Sequence, residues 1–341
     1  MPQDKVQLIS LICPVHNEEA AIPIFLKRLH ETILPLKNHY DFELIFVNDG
    51  STDRTMELIK EECDRNEIVQ LITLSRNFGY HPAALSGLQH ASGVAMIIIA
   101  VDCEDPPELI PRFIEAWKQG HDIVYGIRGD RPEPLLINLG RQIFYKISSL
   151  IADSDFIPYM GEFAVITDRV RDVIIANRST FIIIRSDIAY AGFSRLAIPY
   201  KSQPRVGGRT HYNLWGMIKL AMSNILTSST FPLRMGVYAG IPLLLLNWLV
   251  MVIGLMIGKT PLPIWLIALN LNFLVMLAVF VAVYLARVYK DGMNKPKFII
   301  DWDNTKLQAW NSRAELRSSE YTGIEIKAKR TSDQGNLNQN C

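Results

Sequence analysis

The sequence predicts an α/β protein with a mostly parallel sheet, joined to a hairpin of two transmembrane helices. Ahead of Arg234, apolar strand-like runs alternate with helical patterns, which is typical of a parallel sheet covered on both faces. From Met235 to Ala286 the chain then carries a single charged residue, Lys259. These two patterns divide the chain into an α/β part and an apolar part.

The elements of the first part follow from the length and period of their apolar residues. Runs of strand length lie at residues 6–13, 42–47, 68–74, 95–101 and 122–125. Helical patterns lie between them at residues 19–34, 53–64 and 106–118. Because helices separate most of these strands, we expect successive strands to run parallel.

The apolar part consists of residues 235–257 and 264–286. Each stretch can cross about 30 Å of hydrocarbon at about 1.5 Å per residue. The alternative is a buried helical hairpin, but such helices usually keep a polar stripe, whereas these are apolar all round except for three asparagines. Basic residues precede the first apolar stretch and follow the second, whereas the loop 258–263 between them has Lys259 as its only charged residue. The positive-inside rule therefore predicts cytosolic flanks and an external loop.

Two further segments, 136–151 and 214–226, carry apolar residues on one helical face. They are either core helices or amphipathic helices in the membrane interface, and proximity to the first span favours the interface for the second segment. The predicted organisation is a cytosolic α/β domain at 1–212, a juxtamembrane interface helix at 213–233, two transmembrane helices at 234–288, and a cytosolic tail at 289–341 with a disordered end.

Composition excludes several classes of protein. The formal net charge of +1 provides no broad field for binding nucleic acid, and 49% hydrophobic residues exclude a disordered chain. The four cysteines are far apart, without a CxxC pair or zinc-site spacing, so we expect reduced thiols in the cytosol. Asp4 and Lys5 precede only a short apolar run, so we expect no signal peptide.

Polar segments follow the predicted strands, at the edge where parallel sheets bind ligands. After the first strand, Asn17 and Glu18 lead into a helix, a weak signal because capping explains it equally well. After the second, Asp49 sits at an acceptor-rich strand end that suits a nucleoside; capping would explain Ser51 but not Asp49. After the third, Arg76 could face a phosphate or a structural carboxylate.

An acidic cluster follows the fourth strand. Asp105 and Glu108 have the spacing of a capping box around a proline-started helix, which favours a structural role. Asp102 and Glu104, two residues apart in extended chain, would project from one face and suit a hard divalent cation completed by phosphates. Glu162 follows later in an apolar region, either as a core carboxylate or as a catalytic base.

Taken in order, these motifs resemble a family-2 glycosyltransferase of the polyprenyl-phosphate type, to which dolichyl-phosphate mannose synthase belongs. The resemblance covers about residues 7–300 and rests on the segments 14–18, 48–51, 75–79, 102–108 and 205–212. It implies a GT-A (Rossmann-like) fold and a membrane-bound enzyme that transfers a sugar, with inversion, from a nucleotide-sugar to polyprenyl phosphate. A UDP-sugar donor, an undecaprenyl or dolichyl acceptor and a Mg²⁺ or Mn²⁺ cofactor are expected, and a homo-oligomer is plausible.

The resemblance also assigns roles to residues. Pro14, Glu18 and Asp49 match positions that hold the nucleotide's base and ribose, and Arg76 belongs to the same nucleotide-side loop.

Asp102 matches a metal ligand at the diphosphate, and Glu104 lies near that metal. Glu162 matches the base or acceptor-site carboxylate, and Arg205 and Arg209 belong to a basic loop over the phosphates. The catalytic candidates are therefore Asp102, Glu162 and Arg205.

Acceptor phosphate binding is the remaining role. Arg128, Arg131 and Arg141 lie near the first amphipathic segment, where they could attract a lipid phosphate, and Arg209 joins them from the basic loop. The alternative for each of the first three is a solvated surface charge.

The sequence departs from the family pattern at three positions: Ala100 stands where relatives have the first Asp of Asp-x-Asp, Glu162 where they have Asp, and Ala164 where they have Arg. A competing hypothesis is therefore a catalytically impaired, membrane-tethered protein that binds a nucleotide-sugar or a lipid phosphate. A processive polysaccharide synthase is disfavoured because the chain lacks Gln-x-x-Arg-Trp, and a dinucleotide oxidoreductase because it lacks GxGxxG after the first strand.

Overall fold

The structure is a computed structural model that describes residues 6–129, 157–207, 229–258 and 264–307, together with residues 140, 142, 145, 146 and 148–151. The strands are β1 Gln7–Val15, β2 Tyr40–Asn48, β3 Val69–Thr73, β4 Ala95–Ile98, β5 Ile123–Arg128, β6 Met160–Thr167 and β7 Arg195–Tyr200. The helices of this part are α1 Ile22–Ile33, α2 Thr55–Arg65, α3 Tyr80–His90, α4 Ile110–Lys118, α5 Asp168–Ala176 and α6 Ile184–Tyr190.

The strands form one seven-stranded sheet in the order β3-β2-β1-β4-β6-β5-β7. Only β6 runs against its neighbours; the pairs β1–β2, β1–β4, β2–β3 and β5–β7 are parallel. The predicted mostly parallel α/β sheet is thus confirmed. The sequence signals missed β6 and β7. Strand β7 contains Pro199 and pairs with β5 alone, and proline is tolerated on such an edge strand.

Both faces of the sheet are covered, because alternate strand residues point to opposite sides. Ile9 and Leu11 of β1 belong to a core shared with α1, α2 and α4, whereas Ile12 belongs to a core shared with α3, α5 and α6. Helix α3 lies especially close to β1: a Cβ on Gly87 would stand 2.4 Å from a methyl carbon of Ile12. This burial on both faces explains why the central strands are nearly continuous apolar runs.

Two long apolar helices follow, α7 Phe231–Met256 and α8 Ile264–Gly292. Within them, Leu233–Met256 and Leu266–Gly292 are long and apolar enough to cross a membrane, judged by length and composition, and most of their side chains are not covered by protein. The helices pack antiparallel, with Gly240 close to Phe273.

Asn247 and Asn270 join these helices by exchanging two amide hydrogen bonds of 2.9 and 2.8 Å. Asn272 lies exposed and donates to the carbonyl of Ala268 in its own helix. The hairpin therefore contains one polar pair that fixes the register of its two helices.

The chain then returns to the α/β domain, although the sequence predicts a cytosolic tail from residue 289. Ile300 and Lys306 form antiparallel bridges with Leu74 and Leu71 at the edge of the sheet. Residues up to 307 are therefore part of the fold. The predicted interface segment 214–226 lies outside the described residues, and 136–151 is described only in part, as helix.

Candidate active site

The loops after β1 and β2 are tied together by hydrogen bonds from side chains to backbone. The Nδ1 atom of His16 lies 2.9 Å from the carbonyl oxygen of Asp49. The backbone N–H of Glu18 donates to the Thr55 hydroxyl at 2.8 Å, and that of Thr52 donates to Asn17 Oδ1 at 2.8 Å. Two of the polar segments found in the sequence thus form one rigid rim at the carboxyl end of the sheet.

Asp49 connects this rim to the loop after β3. Its carboxylate is 3% exposed and accepts hydrogen bonds from the backbone N–H groups of Phe78 (2.7 Å) and Gly79 (2.8 Å). Gly50 allows the close approach, since it has φ +64° and a Cβ there would lie 2.6 Å from the carbonyl carbon of Arg76. Asp49 therefore positions this loop, and a nucleoside contact by its carboxylate stays a prediction.

The other nucleotide-side residues occupy different environments. Pro14 is buried inside β1, which continues to Val15 rather than ending at the proline as the sequence suggested. Arg76 is exposed, and its guanidinium carbon lies 4.0 Å from the centre of the Phe78 ring. The side chain is thus available at the mouth of the site, held by a cation–π contact instead of a structural carboxylate.

Arg205 brings the first and fourth loops together. Its guanidinium forms an ion pair with Glu18 and lies 3.5 Å from Asp102 Oδ2. The next residue, Val206, donates its backbone N–H to the carbonyl of Asp102 at 2.9 Å. The three residues that the resemblance assigns to the nucleotide, the metal and the phosphates are therefore direct neighbours.

The turn that carries Asp102 is not the extended chain that the sequence predicted. Cys103 has φ +55°, in the left-handed region, and the backbone N–H of Glu104 donates to Asp102 Oδ1 at 3.1 Å. As a result the two carboxylates face different arginines: Asp102 faces Arg205, and Glu104 lies 3.3 Å from Arg128. The expected projection from one face was wrong because the chain reverses between them.

Arg128 lies in a buried ion pair. Its Nε and Nη2 atoms donate to the two oxygens of Asp105 at 2.9 and 2.8 Å, and the Tyr200 hydroxyl donates to the same carboxylate. Burial disfavours the charged guanidinium, but Asp105 outweighs it and raises the pKa of Arg128. Arg128 is thus not the solvated charge weighed as its alternative, and its acceptor role stays a prediction.

The structural roles expected for Asp105 and Glu108 are ion pairs, not helix caps. The short 3₁₀ turn Pro107–Leu109 has no side-chain cap. Glu108 instead forms a bidentate pair with Arg28, with two hydrogen bonds of 2.7 Å. These hydrogen bonds from Arg28 are the main cause of the lowered pKa of Glu108. The capping-box spacing was therefore misleading here, because arginines that are distant in sequence bind both carboxylates.

Glu162 lies on β6 beside residues that the sequence did not indicate. Its Oε1 atom is 3.7 Å from Arg185 Nη1 on α6. Ala164, where the resemblance leads us to expect arginine, is fully buried between β4 and β5. The guanidinium near Glu162 belongs instead to Arg185. Tyr80 was also missed, although it begins α3 directly after the loop 75–79. A polar residue at the start of a helix that follows a strand end could have marked it as a candidate site residue.

The site contains carboxylates that are candidate ligands of a metal ion. Among the described residues, no group of three or more His, Cys, Asp or Glu side chains is placed to hold one. Asp102 and Glu104 supply hard carboxylate oxygens, and Mg²⁺ commonly binds one or two carboxylates together with phosphate oxygens and water. Because the two carboxylates face different arginines, Asp102 would be the ligand of a Mg²⁺ or Mn²⁺ ion, with Glu104 nearby and a bound diphosphate helping to hold the ion. Arg131, Arg141 and Arg209 lie outside the described residues.

Comparisons with known proteins identify the family of the chain. The profile of the family described as glycosyl transferase family 2 matches residues 10–181. An uncharacterized glycosyltransferase, YkcC, of Bacillus subtilis (strain 168) is 34% identical over 301 residues, covering 85% of this chain and 92% of that protein. The SfII prophage-derived bactoprenol glucosyl transferase of Shigella flexneri is also 34% identical over 301 residues, covering 86% and 97%. Glucosyl-3-phosphoglycerate synthase from Mycobacterium tuberculosis, a solved structure, has 17% identity and a TM-score of 0.45, covering 65% and 80%.

Proposed function

Since the chain belongs to glycosyltransferase family 2 and is a glycosyltransferase, we propose that it moves a sugar from a nucleotide-sugar to a polyprenyl phosphate at a membrane surface. The relatives named bactoprenol glucosyl transferase support this acceptor, because they match 86% of the chain, including the apolar helices. A UDP-sugar is the favoured donor. The observation that carries the proposal is the contact of Arg205 with both Glu18 and Asp102.

That contact connects the region assigned to the nucleoside of the donor with the region assigned to its diphosphate. The loops of β1 and β2, with Glu18 and Asp49, would hold the nucleoside, and the turn at Asp102 would face its diphosphate. Arg205 is 20% exposed and has two carboxylate partners, one of them at 3.5 Å. A diphosphate entering beside Asp102 would offer charge-assisted hydrogen bonds of the same kind, and Arg205 would exchange its 3.5 Å contact with Asp102 for one with the diphosphate.

The reaction is proposed as a single displacement with inversion. A phosphate oxygen of the acceptor attacks the anomeric carbon while the bond from that carbon to the diphosphate oxygen breaks, and the nucleoside diphosphate leaves with the electron pair. Arg205 would stabilise the negative charge that grows on the leaving group. A divalent ion held by Asp102, with Glu104 nearby, would supply further charge neutralisation there when bound.

The acceptor needs little activation by a base. A phosphate monoester has a second pKa near 6, so its attacking oxygen already carries negative charge at neutral pH. Glu162 would therefore orient substrate or assist the transfer instead of removing a proton. Arg128, Arg131, Arg141 and Arg209 are proposed to attract the acceptor phosphate, with Arg128 exchanging part of its contact with Glu104.

The hairpin gives this chemistry its location. Helices α7 and α8 are proposed as two spans of the cytoplasmic membrane, with the catalytic domain 1–212, the interface segment 213–233 and the C-terminal residues on the cytosolic side. A polyprenyl chain stays in the bilayer with its phosphate at the surface, while nucleotide-sugars are dissolved in the cytosol. An enzyme that joins them must keep its site at the interface.

The test uses the full chain in detergent with undecaprenyl phosphate, Mn²⁺ and radiolabelled UDP-glucose, UDP-galactose or GDP-mannose. We expect a lipid-linked sugar from at least one donor, its loss with EDTA, and a decrease of at least about 100-fold in Asp102→Asn. Asp64→Asn is the matched control, because Asp64 is 70% exposed and pairs with Lys306 away from the site. Donor binding without product would favour the impaired binding protein instead.

A further inference from the structure

Two buried polar atoms at the start of α3 lack partners. The hydroxyl of Tyr80 and the Nδ1 atom of His81 are out of contact with solvent and form no hydrogen bond with any residue that the structure describes. Leaving such groups unsatisfied is costly, and native proteins nearly always satisfy them with protein, water or a ligand. These two residues therefore point to a ligand or an ordered water at this position.

Both residues lie near enough to Glu162 for the charge of its carboxylate to act on them. The rings of Tyr80 and His81 contact each other edge to face, with centres 5.5 Å apart. Burial and then the charge of Glu162 raise the pKa of Tyr80, and Glu162 partly opposes the burial that lowers the pKa of His81. Arg185 reaches the same carboxylate from α6. Side chains from α3, β6 and α6 thus lie in one neighbourhood.

The chemistry of this group favours a neutral polyol. The carboxylate of Glu162 and the guanidinium of Arg185 cancel in charge, while a phenol and a neutral imidazole can each donate or accept a hydrogen bond. An anionic phosphate would instead require a site with net positive charge, which the balanced pair of Glu162 and Arg185 does not provide. A ring of hydroxyl groups matches this mixture of donors and acceptors.

We infer that Tyr80, His81 and Arg185, with Glu162, form the subsite that recognises the hydroxyl groups of a neutral donor hexose. This inference rests on the proposed function and deepens it. Tyr80 and His81 act as specificity-determining residues: they select a sugar whose hydroxyl groups complete their hydrogen bonds. Donor sugars that carry a carboxylate or an ammonium group on the ring would disturb the balanced pair of Glu162 and Arg185.

The experiment pairs protein variants with altered donors. The full chain in detergent, its Tyr80→Phe and His81→Gln variants, and a Tyr190→Phe control are assayed with UDP-glucose, its four monodeoxy analogues and UDP-glucuronate. Tyr190 is a suitable control because it is 72% exposed. Thermal melting checks that each variant is folded.

We expect the wild type to prefer UDP-glucose to at least one deoxy analogue by about threefold to tenfold in kcat/KM, the effect of one hydrogen bond between neutral groups. Tyr80→Phe or His81→Gln should lower kcat/KM for UDP-glucose and thereby abolish its preference over the deoxy analogue. UDP-glucuronate should be a poor donor. A structural role would lower kcat/KM by the same factor with every donor.

The possible failures are distinguishable. A wild type that transfers no sugar from any nucleotide-hexose would overturn the proposed function. An active wild type whose preferences among the donors are unchanged in both variants would overturn this inference alone. If Tyr80→Phe does not fold, His81→Gln, which keeps a polar side chain, carries the same test.

Discussion

Two arginine–carboxylate pairs of nearly equal geometry but different burial provide a sharp test of the energetics. Arg128 binds Asp105 through hydrogen bonds of 2.9 and 2.8 Å, and Arg28 binds Glu108 through two of 2.7 Å. The Asp105 side chain is 1% exposed, whereas that of Glu108 is 52% exposed. We predict that Asp105→Asn is strongly destabilising and that Glu108→Gln is nearly neutral.

The magnitudes follow from what each substitution leaves behind. Removing one partner of a buried pair costs about 3–5 kcal/mol, because the remaining charge is uncompensated. Glu104 still lies 3.3 Å from Arg128 and Tyr200 keeps a polar neighbour, so we expect the lower end, about 3 kcal/mol. Since Glu108 is half exposed, water and salt screen its pair, and Glu108→Gln should cost at most about 1 kcal/mol.

Thermal unfolding followed by tryptophan fluorescence in detergent measures the difference. For a domain of this size 1 kcal/mol corresponds to about 2–4 °C in Tm, so Asp105→Asn should lower Tm by about 6–12 °C and Glu108→Gln by at most about 4 °C. Equal shifts for the two variants would refute the reasoning, because geometry rather than burial would then set the energy of an ion pair.

Three further predictions concern other parts of the molecule. Gly50→Ala should destabilise the protein by about 1–3 kcal/mol in a thermal melt and reduce nucleotide binding, because φ is +64° and the new Cβ would lie 2.6 Å from the neighbouring loop. Burial raises the pKa of Asp187 to about 6, so the folded state favours the neutral acid and loses stability as pH rises through that value. Asp187→Asn should therefore raise the free energy of unfolding at pH 7.5 by about 1–3 kcal/mol, seen as a higher Tm, and leave Tm unchanged near pH 4. A higher Tm at both pH values would contradict this. Asn247→Leu should cost about 0.6–2 kcal/mol in a melt in detergent, since it leaves Asn270 without its interhelical partner, while Asn272→Leu should not; equal effects would exclude a role for the pair.

Much of the fold could be predicted because its signals are local. The five strands found in the sequence are buried on both faces and therefore read as apolar runs. The two apolar helices required only length and composition. Strand β6 was missed because it begins at Met160 with a glycine and a glutamate next in the chain, which break the run at the point where it enters the site.

The residues of the candidate site could also be predicted only in part. Residues at strand ends, such as Glu18, Asp49 and Asp102, were identifiable because parallel strands bring their carboxyl ends to one edge. That Arg205 would join Glu18 and Asp102 could only be expected from the resemblance to a family, since 187 positions separate Arg205 from Glu18.

The amino-acid sequence by itself determined roughly where five of the strands lie, which face of a helix is apolar, and which stretches can lie in hydrocarbon. All of these depend on periodicity over a few neighbouring residues. Only the tertiary structure decided which carboxylate each arginine binds, that Arg128 pairs with Asp105, and that Arg185 meets Glu162 near Tyr80 and His81. The reason is physical: a charged or polar side chain accepts any complementary partner, and the packing of distant segments selects which one comes within hydrogen-bonding distance while water is excluded.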